Sequence, residues 1–191
     1  MRGKLSVYEP IPCAQEMTLT MNRPRMLISA CLLGVNCRYD GNSQTLPELS
    51  RLMERYELIP VCPEQLGGLP TPRTPSERRD GRVVARDGKD VTEAFSRGAF
   101  QVCRIARLYG AELALLKARS PSCGHGEIYD GSFTGHRVPG NGVTAEALAA
   151  MGVTLYDEND AATLAGEPGV EQVDESDESR GGSERGKELS C

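Results

Sequence analysis

From residue 26 to about residue 156, short apolar runs alternate with stretches whose apolar residues recur at helical spacing. Met26–Ala30 (MLISA), Glu57–Val61 (ELIPV), Ala111–Leu116 (AELALL) and Val153–Tyr156 (VTLY) have the length and apolar content of strands buried on both faces. Between the first two, Leu46, Leu49, Leu52, Met53 and Tyr56 repeat as on one side of a helix. Before the third, Val91, Phe95, Val102, Ile105, Ala106 and Tyr109 do the same, with Asp90 as the predicted N-cap and Gly110 as the stop. A shorter helix, Ala145–Met151, is predicted with Thr144 as its cap. Arg78–Arg86 carries Asp80–Gly81 between two extended arms and reads as a β-hairpin. Gly67–Pro75 is too broken by proline and glycine for regular structure. Residues 119–143 read as one long glycine-rich connection with Tyr129, Phe133 and His136 in it, the kind of loop that forms a lid or a binding surface.

Strand–helix–strand alternation predicts an α/β fold, a three-layer, mostly parallel, Rossmann-like sheet of about four strands with a small β-hairpin insertion. The predicted organisation is a loose N-terminal arm over 1–25, one α/β domain over 26–159 and an acidic, disordered tail over 160–191. Charge changes the picture only at the end. From Asp157 onward there are 11 acids and 3 bases, net −8; the remaining 16 acids and 19 bases give +3 before it. A slightly basic body suits a small anionic or polar ligand and lacks the dense Lys/Arg footprint of a nucleic-acid binder. No apolar run approaches the ~20 residues of a membrane helix, and the N-terminus has no signal-type apolar segment. The expectation is a cytoplasmic protein with a small-molecule substrate, no nucleic-acid or membrane partner, and a monomeric or homodimeric state.

The candidate chemistry lies in the cysteines. Of seven, three follow a predicted strand directly: Cys31, Cys62 and Cys123, the last within Lys117–Gly126 (KARSPSCGHG). Ligands of open α/β sheets gather outside the carboxyl ends of the strands. An odd count at irregular spacing argues against a disulfide framework. Cys13 and Cys191 fall in the arm and the tail, and Cys103 reads as a small core residue of the long helix. Cys37 reads as a spare ligand, a sulfur acceptor or a loop residue. Four explanations of the three strand-end thiols stand open. Structural zinc prefers four ligands, often in CxxC pairs, which are missing here. Cys123 with His125 as base would make a nucleophile, yet leaves Cys31 and Cys62 without a part. An iron–sulfur cluster on three thiolates uses all of them and leaves one iron of a cubane open as a Lewis acid. Three small core cysteines is the fourth.

The motifs ISACLLGVNCRYDG (28–41), VCPEQLGGLPTPR (61–73), DVT (90–92), LLKARSPSCG (115–124) and NGVTAEAL (141–148) together resemble the thiouracil desulfidases, over about Met26 to Asn159. That resemblance implies a [4Fe–4S] cluster bound by Cys31, Cys62 and Cys123, whose fourth iron takes the sulfur of a thiolated nucleobase. It also implies Glu64 and Ser120 as catalytic groups, Glu64 as general base for water and Ser120 as a hydrogen-bond donor or proton relay. Such desulfidases are further expected to carry an appended second domain. Arg73, Arg119 and Asn141 are candidate substrate contacts, although surface charge and helix capping also account for them. Tyr129 and Phe133 could stack on a ring or merely pack their loop.

Overall fold

The computed structural model describes residues 23–166, so the calls made on 1–22 and 167–191 lie outside the described residues. β1 (Arg25–Ser29), β2 (Glu57–Val61), β5 (Leu113–Leu116) and β8 (Thr154–Asp157) form one parallel sheet in the order β2-β1-β5-β8. Met26, Leu27 and Ile28 of β1 are fully buried, because helices cover both faces. Side chains alternate across the pleat. Leu27, Ala114 and Leu116 join Val102 and Ala106 of α3 (Thr92–Tyr109) and Leu148 of α4 (Val143–Ala150) in one apolar layer. Met26, Ile28 and Leu115 face the other way, onto Leu52 of α1 (Leu49–Arg55) and Ala161 of α5 (Ala161–Leu164). The expected three-layer α/β fold with four parallel strands is thus present.

The chain opens in the middle of the sheet, turns outward to β2, then crosses back over β1 to reach β5. The connections leaving β1 and β5 therefore diverge to opposite faces, and the carboxyl ends of these neighbours flank a crevice. β3 (Ser76–Arg79) and β4 (Arg82–Ala85) form the expected hairpin, with Asp80 and Gly81 at φ 52° and 75° as a two-residue turn of this hand requires. Gly110 ends α3 in the left-handed region, as expected.

Four expectations shift. Val91, not Asp90, is the N-cap of α3; Asp90 accepts the Thr92 N–H at 2.9 Å one step outside the helix. Gly142 is the N-cap of α4, and Thr144 lies inside it, fully buried, with its hydroxyl 2.8 Å from that of Ser122. Residues 119–143 are not structureless: β6 (Glu127–Tyr129) and β7 (Arg137–Pro139) pair antiparallel. Three-residue strands with one buried side chain, Ile128, carry no readable period of two. The first residues expected for the tail include α5 (Ala161–Leu164) and bury Ala161 and Ala165, residues too small to mark an amphipathic pattern.

The one-turn helix α2 (Pro63–Leu66), which leads out of β2, rests against α3 through two glycines. A Cβ at Gly98 of α3 would stand 1.9 Å from the Pro63 carbonyl oxygen, and one at Gly67 would stand 2.1 Å from that of Ala94. Alanine is the better helix former by about 1 kcal/mol, yet Gly98→Ala forces α2 off α3. The expected result is a net loss of about 1–3 kcal/mol, seen as a thermal midpoint lowered by about 2–4 °C per kcal/mol. An unchanged or raised midpoint would refute the close packing.

Candidate active site

Parallel strands end at one edge, and three loops leaving that edge carry the thiols. Cys31 sits in the 3-10 turn Ala30–Leu33 directly after β1, Cys62 is the N-cap of α2, and Cys123 lies in the turn after β5. All three line one cavity of about 420 Å³, together with Glu64, Ser120, Arg73 and Arg119. Asn141 is not brought there. Its side-chain oxygen accepts the Gly126 N–H at 2.9 Å and its carbonyl accepts from the Arg78 guanidinium, at a separate depression.

The turn holding Cys123 is built around Ser120. The Ser120 carbonyl accepts the Gly124 N–H at 2.8 Å, and its hydroxyl oxygen accepts the N–H groups of Ser122 and Cys123, both at 3.1 Å. A Cβ at Gly124 would come within 2.7 Å of the Ser120 carbonyl oxygen, so the turn closes this tightly only around glycine. The buried Ser122–Thr144 hydroxyl pair ties the turn to α4. Cys123 is buried, and that burial pushes its thiol up to about 12, against the pull of hydrogen bonds from the Ser29 and Ser120 hydroxyls. Ser29 accepts the Lys117 N–H at 2.9 Å, which leaves its own proton for the sulfur.

On the other side of the cavity lies a fourth thiol. Cys37 is 1% exposed and interacts with the thiols of both Cys31 and Cys62; sharing hydrogen bonds with the Cys31 sulfur pushes it up to about 11. The Cys62 thiol is raised too, first by its hydrogen bond with Cys37 and then by burial, and it reaches the Cys37 carbonyl at 3.8 Å.

Glu64 projects from the first turn of α2, and Arg73 grips it, Nε to Oε2 at 2.6 Å. The remaining donors of Arg73 go to the carbonyls of Pro70 (3.2 Å) and Cys37 (3.1 Å) and to the Thr71 hydroxyl (3.1 Å). Its side chain is only 7% exposed. Arg73 therefore fastens Glu64 to the Cys37 loop, and its guanidinium is committed to the protein. Arg119 is half-exposed and pairs with Glu127 at 3.5 Å. Lys117, also lining the cavity, is ion-paired with Glu158, whose second oxygen accepts the Ala118 N–H.

His125, the base expected of a Cys123 nucleophile, is exposed and is not among the lining residues. Among the described residues no three His, Cys, Asp or Glu side chains converge on one point as a single ion needs. Sequence reasoning missed Ser29 and Glu77. The signal for Ser29 was a polar residue closing an otherwise apolar buried strand, a position that demands a partner.

The 2-thiouracil desulfurase family matches residues 26–160. The uncharacterized protein YbbK of Bacillus subtilis is 37% identical over 145 residues, which are 71% of this chain and 96% of that protein. Among solved structures, the [4Fe–4S]-dependent thiouracil desulfidase TudS superposes with a TM-score of 0.70 at 41% identity. The match covers 75% of this chain and 96% of that one, which leaves no room in the solved relative for the appended second domain expected from sequence. The chain belongs to the 2-thiouracil desulfurase family.

Proposed function

We propose that this chain is a [4Fe–4S]-dependent, non-redox desulfidase that replaces C=S by C=O in a thiolated nucleobase of the thiouracil type, or a similar small thioamide, and releases sulfide. The observation that carries this function is the meeting of three strand-end thiols with Glu64 and Ser120 in a single cavity. The donor set suits such a cluster. It consists of soft thiols carried to one cavity by three separate loops. Cys31, Cys62 and Cys123 are the ligands in this proposal, and binding a cluster would displace the protons that the Cys37 contact and burial keep on Cys62 and that burial keeps on Cys123. When bound, a cluster with three protein thiolates supplies an iron with an open position, a Lewis acid and sulfur acceptor in one.

The protein's own groups do the rest. Glu64 takes a proton from a water whose oxygen attacks the thiocarbonyl carbon. Its Oε2 is occupied by Arg73, which leaves Oε1 to face the water. The Ser120 oxygen already accepts two backbone N–H groups, so its remaining capacity is to donate. It offers that proton to the Cys123 sulfur or to the substrate as charge develops. Water adds, the C–S bond breaks and sulfide leaves with its protons. No electron is gained or lost. The same proposal takes a cytoplasmic protein, monomeric or homodimeric, whose partner is a small molecule.

Three measurements test it. After anaerobic reconstitution, wild type should hold about four irons and four sulfides per chain with a broad visible band. Serine at 31, 62 or 123 should abolish that content, whereas Cys37→Ser and Cys103→Ser should keep it; a Cys37→Ser protein without iron would move Cys37 into the ligand set. Glu64→Gln should keep its iron and lose thiouracil turnover by about 10²–10⁴-fold in kcat. An active Glu64→Gln enzyme would remove Glu64 as the base. Arg73→Ala should also keep its iron and lose about 10²-fold in kcat with KM little changed, since the base is displaced rather than removed. Guanidinium ion should restore part of that rate, and a rise confined to KM would instead return Arg73 to the substrate.

A further inference from the structure

Three aromatic side chains, Tyr39, Tyr129 and Phe133, line the cavity that holds the thiols. Phe133 is held unlike the others. It is a non-glycine residue at φ +59°, in a loop between β6 and β7 where Gly131 and Gly135 also have positive φ. A bulky side chain adopts that conformation only when its surroundings compel it.

The compelling group is Glu77 of β3. This carboxylate is 9% exposed, and its Oε2 accepts the N–H of Gly131 at 3.0 Å and that of Phe133 at 2.9 Å. Burying a carboxylate is costly unless it is hydrogen-bonded, and here both bonds shape one loop. Gly131 is pressed onto the same strand: a Cβ there would stand 2.5 Å from that of Arg79. The Arg86 guanidinium lies over the Phe133 ring, 5.6 Å from its centroid, and makes no ion pair among the described residues.

Loop packing does not account for this ring. Phe133 belongs to none of the three apolar clusters of the described residues. It lines the cavity instead. We infer that Phe133, fixed by Glu77 and with one face in contact with the Arg86 guanidinium, is the stacking wall against which the substrate's flat heteroaromatic ring lies. Specificity for a ring, rather than for any thioamide, then comes from the β6–β7 loop and not from the thiol edge. The inference rests on the desulfidase proposal for its substrate class and adds the residue that recognises the ring.

The test uses the full-length, cluster-loaded chain and its Phe133→Leu and Phe133→Trp variants, with 2-thiouracil as probe. Dissociation constants come from equilibrium dialysis with Glu64→Gln as the common background, so that the probe is not consumed; KM and kcat come from steady-state turnover with Glu64 present, and iron content is assayed alongside. Leucine keeps an apolar side chain but removes the π face. It should weaken Kd and KM about tenfold, about 1.4 kcal/mol, with kcat within about twofold and iron unchanged; such a loss lies in the range for a base stacked on an aromatic ring. Tryptophan should bind as well as wild type or better. Unchanged Kd in Phe133→Leu overturns the wall, and so does loss of iron in both variants, which would make the ring structural. A wild-type protein that binds 2-thiouracil while the leucine variant matches it sinks the wall alone. A wild-type protein that binds no thiolated pyrimidine sinks the wall and the desulfidase proposal together.

Discussion

Parallel pairing is the constraint on which the rest of the structure depends. β1 pairs with β2 on one side and β5 on the other, Ile28 opposite both Pro60 and Leu115, so three strands end at the same height on one edge. A cysteine placed within a few residues of each strand end is then delivered to one place, although positions 31, 62 and 123 are far apart in sequence. An antiparallel sheet would have sent one of the three loops to the opposite edge. The chain reversal between β1 and β5 adds the crevice, and the helices that cover both faces make these strands too apolar to end anywhere but in a well-defined layer.

Around that edge the protein maintains two different electrostatic settings. On the β5 side, the Cys123 sulfur is buried and met by the hydroxyls of Ser29 and Ser120, so a thiolate there would have donors waiting. On the β1–β2 side, Cys31, Cys37 and Cys62 lean on one another, and Arg73 is the nearest positive charge acting on Cys37 and Cys62. Orienting groups of this kind fix metal-ligand geometry as firmly as the ligands themselves. Arg73 belongs to both sides of the chemistry, since its backbone N–H and its guanidinium both bind the Cys37–Tyr39 stretch while Nε holds Glu64. The loop of the first thiol and the carboxylate cannot move independently.

The sheet was legible because its strands are continuous apolar runs and its punctuation is glycine and proline; all four appear where the pattern predicts them, within a residue or two. The thiol edge was legible for the same reason. What was hidden lacked either length or a partner in sequence. β6 and β7 are three residues each, and α5 buries only alanines. The caps moved by one or two residues because a side chain's partner decides its role: Thr144 faces the Ser122 hydroxyl, so it latches rather than caps. Arg73, Arg119 and Asn141 look alike in a sequence, as polar residues near motifs. Only tertiary contacts separate a residue spent on Glu64 from one spent on Glu127 and one spent on the Gly126 amide.

That separation changes what the cavity can recognise. Five of its lining residues are cations: Arg38, Arg73, Arg86, Lys117 and Arg119. Four are already paired, with Asp40, Glu64, Glu158 and Glu127 respectively. A cavity read from its lining alone would look strongly basic and suited to a multiply charged ligand. Of these five, Arg86 is the one without an ion pair among the described residues, and its guanidinium lies over an aromatic ring. Surface pairs of this kind are weak and exchangeable, so Arg38 and Arg119, being more exposed than Arg73, could still shift toward a ligand at little cost. Arg73 could not: its bond to Glu64 is nearly enclosed, and breaking it would leave a largely buried carboxylate without its partner. The cavity therefore joins buried thiols, a fixed carboxylate and an aromatic ring, while most of its cations are already spent on the protein's own carboxylates.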